Sequence, residues 1–244
     1  RPWPPPPPPP PQPPQAYGFQ FATLSGGSSN DRTNAMVTDG AGGMYITGQF
    51  QGSANFGSSS FTSNGGRDIF VARVASTGVI SWAIQLGGTL DDMGRGICSD
   101  GAGGTFVVGT FKGSVTFPVS GTLTSAGSHD GFVMRVDSAG NVLWAVQVGG
   151  SSHEYAMECD EDGSNGALVI GQFQSASASF GAAGSLSTTG SADMFVFKVS
   201  SSGTIGWATK GGGTDFDSAN GVARDGSGGS CGSGRSSRKG QGRG

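Results

Sequence analysis

The segment FATLSGG at 21–27 returns as WAIQLGG at 82–88, WAVQVGG at 144–150 and, more loosely, WATKGGG at 207–213. Anchored on Phe21, Trp82, Trp144 and Trp207, the period is 61, then 62, then 63 residues. A fixed period of this kind means one supersecondary unit copied along the chain, each copy burying its apolar face against its neighbours.

Five further landmarks keep the same register. An acid follows each Gly-Gly pair (Asp31, Asp92, Glu154, Asp217), and an Asp-Gly turn comes eight residues later (Asp39, Asp100, Asp162, Asp225). Next is a β-rich run ending in Gly-x-Phe: MYITGQF, TFVVGTF and ALVIGQF. A Gly/Ser-rich stretch with one aromatic follows (Phe56, Phe117, Phe180), then Asp-x-Phe-Val-x-Arg/Lys-Val from Asp68, Asp130 and Asp193. A glycine turn (Gly78, Gly140, Gly203) leads back to the tryptophan. Phe70, Ala72 and Val74 alternate with Ile69, Val71 and Arg73, a period of two that marks a strand. The DGAGG and DGSNG segments supply positive-φ positions and an Asp able to bond its own backbone. No window carries a glycine-free helical stripe, so the chain is expected to be all-β.

Four short strands per repeat are the plan of a β-propeller blade. The ordered pattern GG-x-x-x-D, D-G-x-G-G-x-x-x-x-G-x-F, D-x-F-V-x-R/K-V and G-x-x-x-W-A resembles the seven-bladed β-propeller (SBBP) repeat family over residues 19 to 229. The resemblance implies a propeller fold in a secreted or surface protein and says little about mechanism. The expected units are 29–88, 89–150 and 151–213, with a partial unit at 214–229. Because about four to eight blades close a ring, the sequence reads as a piece of a longer propeller, with self-association through open blade faces as the alternative. Trp82, Trp144 and Trp207 are expected as largely buried equivalents in the repeat core, with Phe70, Phe132 and Phe195.

The ends differ from the body. Eleven of the twelve prolines fall in residues 1–14, so residues 1–18 are expected to form a polyproline II stalk. At ~3.1 Å per residue the proline run would be about 40 Å long. It suits a cell-wall-type spacer, a stiff linker without a partner, or a ligand for aromatic grooves. Residues 230–244 contain no apolar run and carry Arg235, Arg238, Lys239 and Arg243 without an acid, so they are expected as a disordered tail. Without interleaved aromatics those cations do not indicate nucleic-acid binding.

A formal charge of −3 implies no strongly charged partner, and no run of about 18 apolar residues marks a membrane helix. Cys98, Cys159 and Cys231 have no metal-type spacing. A Cys98–Cys159 disulfide is open, but buried small apolar residues are the expectation.

Two sets of acids fall in loops on one face of a propeller: Asp31, Asp92, Glu154 and Asp217, and Asp68, Asp130 and Asp193. The first set would ring the channel mouth, where carboxylates could hold Ca²⁺. An acid in every repeat is better read as a repeated structural hydrogen bond to loop amides. Met157-Glu158-Cys159-Asp160-Glu161-Asp162 is the most acidic stretch, either a cation or basic-ligand site or a poorly paired strand. His129 and His153 recur in no catalytic or metal-ligand spacing and read as surface loop residues. The expectation is a non-catalytic extracellular or cell-surface module binding protein or glycan, with no cofactor; the alternatives are a propeller hydrolase or lyase and a Ca-binding propeller.

Overall fold

A computed structural model describes residues 25–223 and the backbone of 224 and 230–236. The expected stalk at 1–18, the anchor Phe21, the fourth Asp-Gly pair within 225–229 and residues 237–244 lie outside the described residues. Those described are mostly strand joined by short turns, with one 3₁₀ turn at Gly181–Ala183.

β1 (Gly26–Gly27) precedes the first blade, which comprises β2 (Arg32–Thr38), β3 (Met44–Phe56), β4 (Ser59–Val74) and β5 (Ile80–Leu86), joined in that order as antiparallel neighbours. The second comprises β6 (Met93–Ser99), β7 (Thr105–Phe111), the hairpin β8 (Ser114–Phe117) and β9 (Gly121–Thr124), β10 (Asp130–Val136) and β11 (Val142–Gly150), with sheet order β6-β7-β10-β11. The third comprises β12 (Glu154–Glu161), β13 (Ala167–Phe173), the short pair β14 (Ala178–Ser179) and β15 (Ser185–Leu186), β16 (Asp193–Val199) and β17 (Ile205–Gly211), with order β12-β13-β16-β17. β18 (Asp217–Arg224) pairs with β19 (Ser230–Ser236). The result is an all-β, propeller-like array whose sheets do not close.

Over residues 230–236, β19 stands where the disordered tail was expected; the rest of that tail, 237–244, lies outside the described residues. The β19 sequence SCGSGRS has no apolar pattern, yet it pairs with β18 from Asp217↔Ser236 to Arg224↔Ser230. Ladder hydrogen bonds belong to the backbone, so a Gly/Ser strand is admitted where a neighbouring strand supplies the template.

The Gly/Ser stretches form hairpins rather than open loops, each pinned by a buried aromatic: Phe56, Phe117 or Phe180. The end of one blade's Gly-Gly strand pairs with the next hairpin, as Gly149–Gly150 of β11 do with Ser179 and Ala178 of β14. Among the described residues one core, with Ile46, Phe50, Phe56, Phe70 and Val74, belongs to the first blade alone, and two lie between blades. Ile69, Val71 and Leu86 of the first pack with Ile97, Phe111 and Phe132 of the second. Phe106, Val133 and Val148 of the second pack with Val169, Phe173 and Phe195 of the third.

The glycines of Gly-x-Phe have a steric cause. A Cβ at Gly109 would sit 2.1 Å from the Met93 carbonyl and 2.7 Å from the Phe132 ring, so only glycine seats that phenylalanine; Gly48 and Gly171 do the same for Phe70 and Phe195. Those three rings are at most 2 % exposed.

The tryptophans depart from expectation. Trp82 and Trp144 are only half-buried, and Trp207 is 43 % exposed. Each of the first two is roofed by the glycine turn of the next blade: Trp82 donates to Ser138 O at 2.9 Å beneath Gly140, and Trp144 to Ser201 O at 2.8 Å beneath Gly203. The described residues hold no further turn to cover Trp207.

Cys98 and Cys159 form a disulfide, correcting the expectation of free buried thiols. A Cβ on Gly96 would come within 2.8 Å of Met157 O, so the innermost strands β6 and β12 lie close enough to set the two cysteine Cα atoms 5.7 Å apart.

Candidate functional site

The repeating acids serve their own loops. Asp92 accepts from Gly88 N at 2.7 Å and Lys112 N at 3.0 Å; Glu154 accepts from Gly150 N at 2.7 Å and Ser175 N at 3.2 Å. Asp31 takes Gly27 N and Gln51 N in the same way, and Asp217 takes Gly213 N. Each carboxylate therefore clamps the second glycine of its Gly-Gly pair, and in the first three units it also holds a loop about twenty residues on. Burial is the leading influence on Asp92 and pushes its pKa up to about 7 against the pull of its amide donors. A cation at this level would have to compete with those amides. No group of three or more His, Cys, Asp or Glu among the described residues is placed to hold a metal.

The second acid set is equally committed. Asp68 accepts from Asn64 N and Gln85, Asp130 from Ala126 N and Gln147, and Asp193 from Thr189 N and Lys210. A Cβ at Gly87 or Gly149 would fall 2.4 Å and 1.8 Å from these carboxyl groups, which explains the first glycine of those two pairs. The Asp-Gly turn acids cap their own hairpins and pair with the cation of the third strand: Asp39 with Arg73, Asp100 with Arg135, Asp162 with Lys198. The acid-rich strand β12 pairs along its whole length with one irregularity, at Met157, so it is not a poorly paired strand.

What does not repeat lies between these fixed acids. Every innermost strand has a β-bulge at one position, and the extra residues are Asn34, Arg95, Met157 and Asn220, again 61, 62 and 63 apart. A bulge inserts one unpaired residue and re-aims its side chain. Here the geometry repeats while the residue type changes through the first three units, with asparagine returning in the fourth. The residue after the first acid also changes, as Arg32, Met93, Tyr155 and Ser218, and so does the residue before the second acid, as Arg67, His129 and Ala192.

These unlike residues converge. Arg32, Asn34 and Arg67 from the first blade, Met93 and Arg95 from the second and Met157 from the third line a polar cavity of about 490 Å³, with Gln49 in its wall. Asn34 reaches across to donate to Gly94 O at 2.6 Å. Arg67 pairs with Asp91 at 3.1 Å. Arg95 bonds Thr110 Oγ1 at 3.3 Å and lies 4.9 Å over the Tyr155 ring. Burial lowers its pKa, partly offset by Tyr155 and reinforced by Arg67 and Arg32.

Tyr155 links this cavity to the two histidines, which are not isolated loop residues. His129 Nδ1 stands 3.3 Å from His153 Nδ1, and the Tyr155 hydroxyl 3.0 Å from the latter. The loop before β10 and the loop before β12 adjoin through a parallel bridge at this pair. Burial first, then His153, holds the His129 imidazole below its ordinary value. A larger groove of about 1260 Å³ between β5 and the β8–β9 hairpin has no charged residue in its lining.

The repeated residues mark the scaffold and leave this site unmarked. The signal that finds it is the complement: subtract the repeat, and the positions flanking each acid remain.

No family model matches the chain. Over 117 residues, 46 % of the chain, it is 26 % identical to an uncharacterized WD repeat-containing protein L264 of Acanthamoeba polyphaga mimivirus. The chain spans about 8 % of that protein's length. This distant similarity agrees with a propeller-type repeat and leaves the finer SBBP resemblance without a matching model. No helix among the described residues is long and apolar enough to cross a membrane.

Proposed function

We propose that this chain is a non-catalytic binding module of the β-propeller type, and that its ligand-contacting surface is the mouth of the channel lined by the innermost strands. One observation carries the reading: three positions per blade around the mouth differ among the first three blades, while the acids and glycines beside them repeat. A scaffold repeats itself, whereas a recognition surface must draw unlike groups together from several blades. The similarity to a WD repeat-containing protein supports a protein ligand. The Cys98–Cys159 disulfide supports an extracellular or cell-surface setting, because such bonds persist in oxidising compartments. Self-association through uncovered blade faces stays a proposal, supported by the exposed Trp207 and Phe216.

The test is selection of a random peptide library on the protein, followed by binding of the enriched peptides to variants. Peptides that lose affinity on Asn34→Ala or Met157→Ala, but not on Thr116→Ala in the β8–β9 hairpin, support the reading. Peptides that map to the hairpins or the outer strands would refute it.

A further inference from the structure

Three guanidinium groups meet at the mouth cavity, Arg32, Arg67 and Arg95, and one carboxylate, Asp91, is paired there, with Arg67. Asp31 and Asp92 sit next in sequence to these residues, but their oxygens face loop amides. Arg32 and Arg95 have no carboxylate partner among the described residues. Arg95 is the sharper case. It stands at a bulge that turns it out of the ladder, it is flanked by Tyr155 and Met157, and its Nε is spent on Thr110.

Arginine stays charged in proteins, so burial does not neutralise it. A part-buried guanidinium with two like charges beside it is costly unless an anion joins it. Its fork of N–H donors matches the two oxygens of a carboxylate or phosphate.

We infer that the mouth cavity takes an oxyanion, a carboxylate or a phosphate group carried on a peptide, gripped by Arg95 with Arg32 closing over it and Arg67 adding field. Asp91 holds Arg67 in place and keeps the site from being a bare cationic patch. The Arg95–Tyr155 stack orients the fork, and Met157 supplies apolar wall on the side of the third blade. The inference rests on the reading that the mouth is the binding surface and adds what kind of group enters it.

The experiment titrates four probes into the protein: inorganic phosphate, and one capped peptide sequence bearing glutamate, phosphoserine or glutamine at its centre. Binding is followed by calorimetry and by the Arg95 Nε–Hε resonance. Saturable binding of phosphate and of at least one acidic peptide is expected, weakening as salt rises. Arg95→Gln and, independently, the exposed Arg32→Gln should each weaken it about tenfold or more, as for loss of a charged hydrogen bond. Lys112→Gln, outside the cavity lining, should leave it unchanged. Equal binding of both acidic peptides assigns a carboxylate as sufficient, whereas binding of the phosphoserine peptide alone assigns phosphate. Binding of the glutamine peptide with the same affinity, no saturation by any anion, or insensitivity to both arginine substitutions overturns the inference. Library peptides that map to the mouth but lack acidic groups would sink this inference alone, whereas peptides that map elsewhere sink the binding-surface reading itself.

Discussion

Trp144 lies beneath Gly203, its indole N–H donating to Ser201 O at 2.8 Å, so that the outermost strand of one blade is locked by the glycine turn of the next. The same contact joins Trp82 to Gly140 and Ser138. Blade-to-blade adhesion therefore has two layers: the apolar cores between sheets, and this aromatic latch at the outer edge. Trp144→Ala removes half-buried aromatic surface and a hydrogen bond and should cost roughly 2–4 kcal/mol. The exposed Trp207→Ala should stay within about 1 kcal/mol. Gly203 has φ +86°, and a Cβ there would lie 3.0 Å from the Trp144 ring, so Gly203→Ala should also destabilise. Chemical denaturation of the three variants checks the order.

The disulfide is the second inter-blade tie, between innermost strands. It closes a loop over a sequence separation of 61 residues. By chain entropy that is worth about 4 kcal/mol. Cys98→Ser should lower the melting temperature to that of the reduced wild type, and adding reductant to the variant should change nothing more. A variant as stable as the oxidised protein would mean the bond contributes no stability.

Two groups give opposite pH dependences over overlapping ranges. His129 is held below its ordinary value, so the unfolded chain takes the proton first; its contribution is intact above about pH 6.5 and is lost as pH falls below it. Asp92 is raised, so its contribution is full below the ordinary carboxylate range and is lost as pH rises through about 7. In the wild type the two partly cancel. His129→Asn should remove the acid-side loss, and Asp92→Asn the loss toward neutrality, each seen as a change in slope of stability against pH. Parallel profiles for both variants and the wild type would count against this assignment.

The blades were readable from the chain because their determinants are local and repeated. Gly87 and Asp68, or Gly109 and Phe132, are steric partners that recur in register, and recurrence is visible without coordinates. Three things were not readable. The burial of Trp144 depends on a turn 57 residues away, so its neighbour Trp207 looks equivalent in sequence and is not. The pairing of Cys98 with Cys159 depends on how closely two sheets pack at Gly96. The mouth residues Asn34, Arg95 and Met157 share no chemistry, so a search for repeated residues passes over them; only the shared bulge shows that they occupy one position.

The most direct measurement makes the mouth as regular as the scaffold. Arg95→Asn combined with Met157→Asn gives asparagine at all four bulge positions, matching Asn34 and Asn220. Because these side chains stand outside the ladder, the double variant should melt within a few degrees of the wild type, as substitutions away from packed cores usually do. It should also lose the library-selected peptides. A double variant that keeps the wild-type melting temperature and still binds those peptides with undiminished affinity would contradict the claim that the unlike bulge residues form the recognition surface.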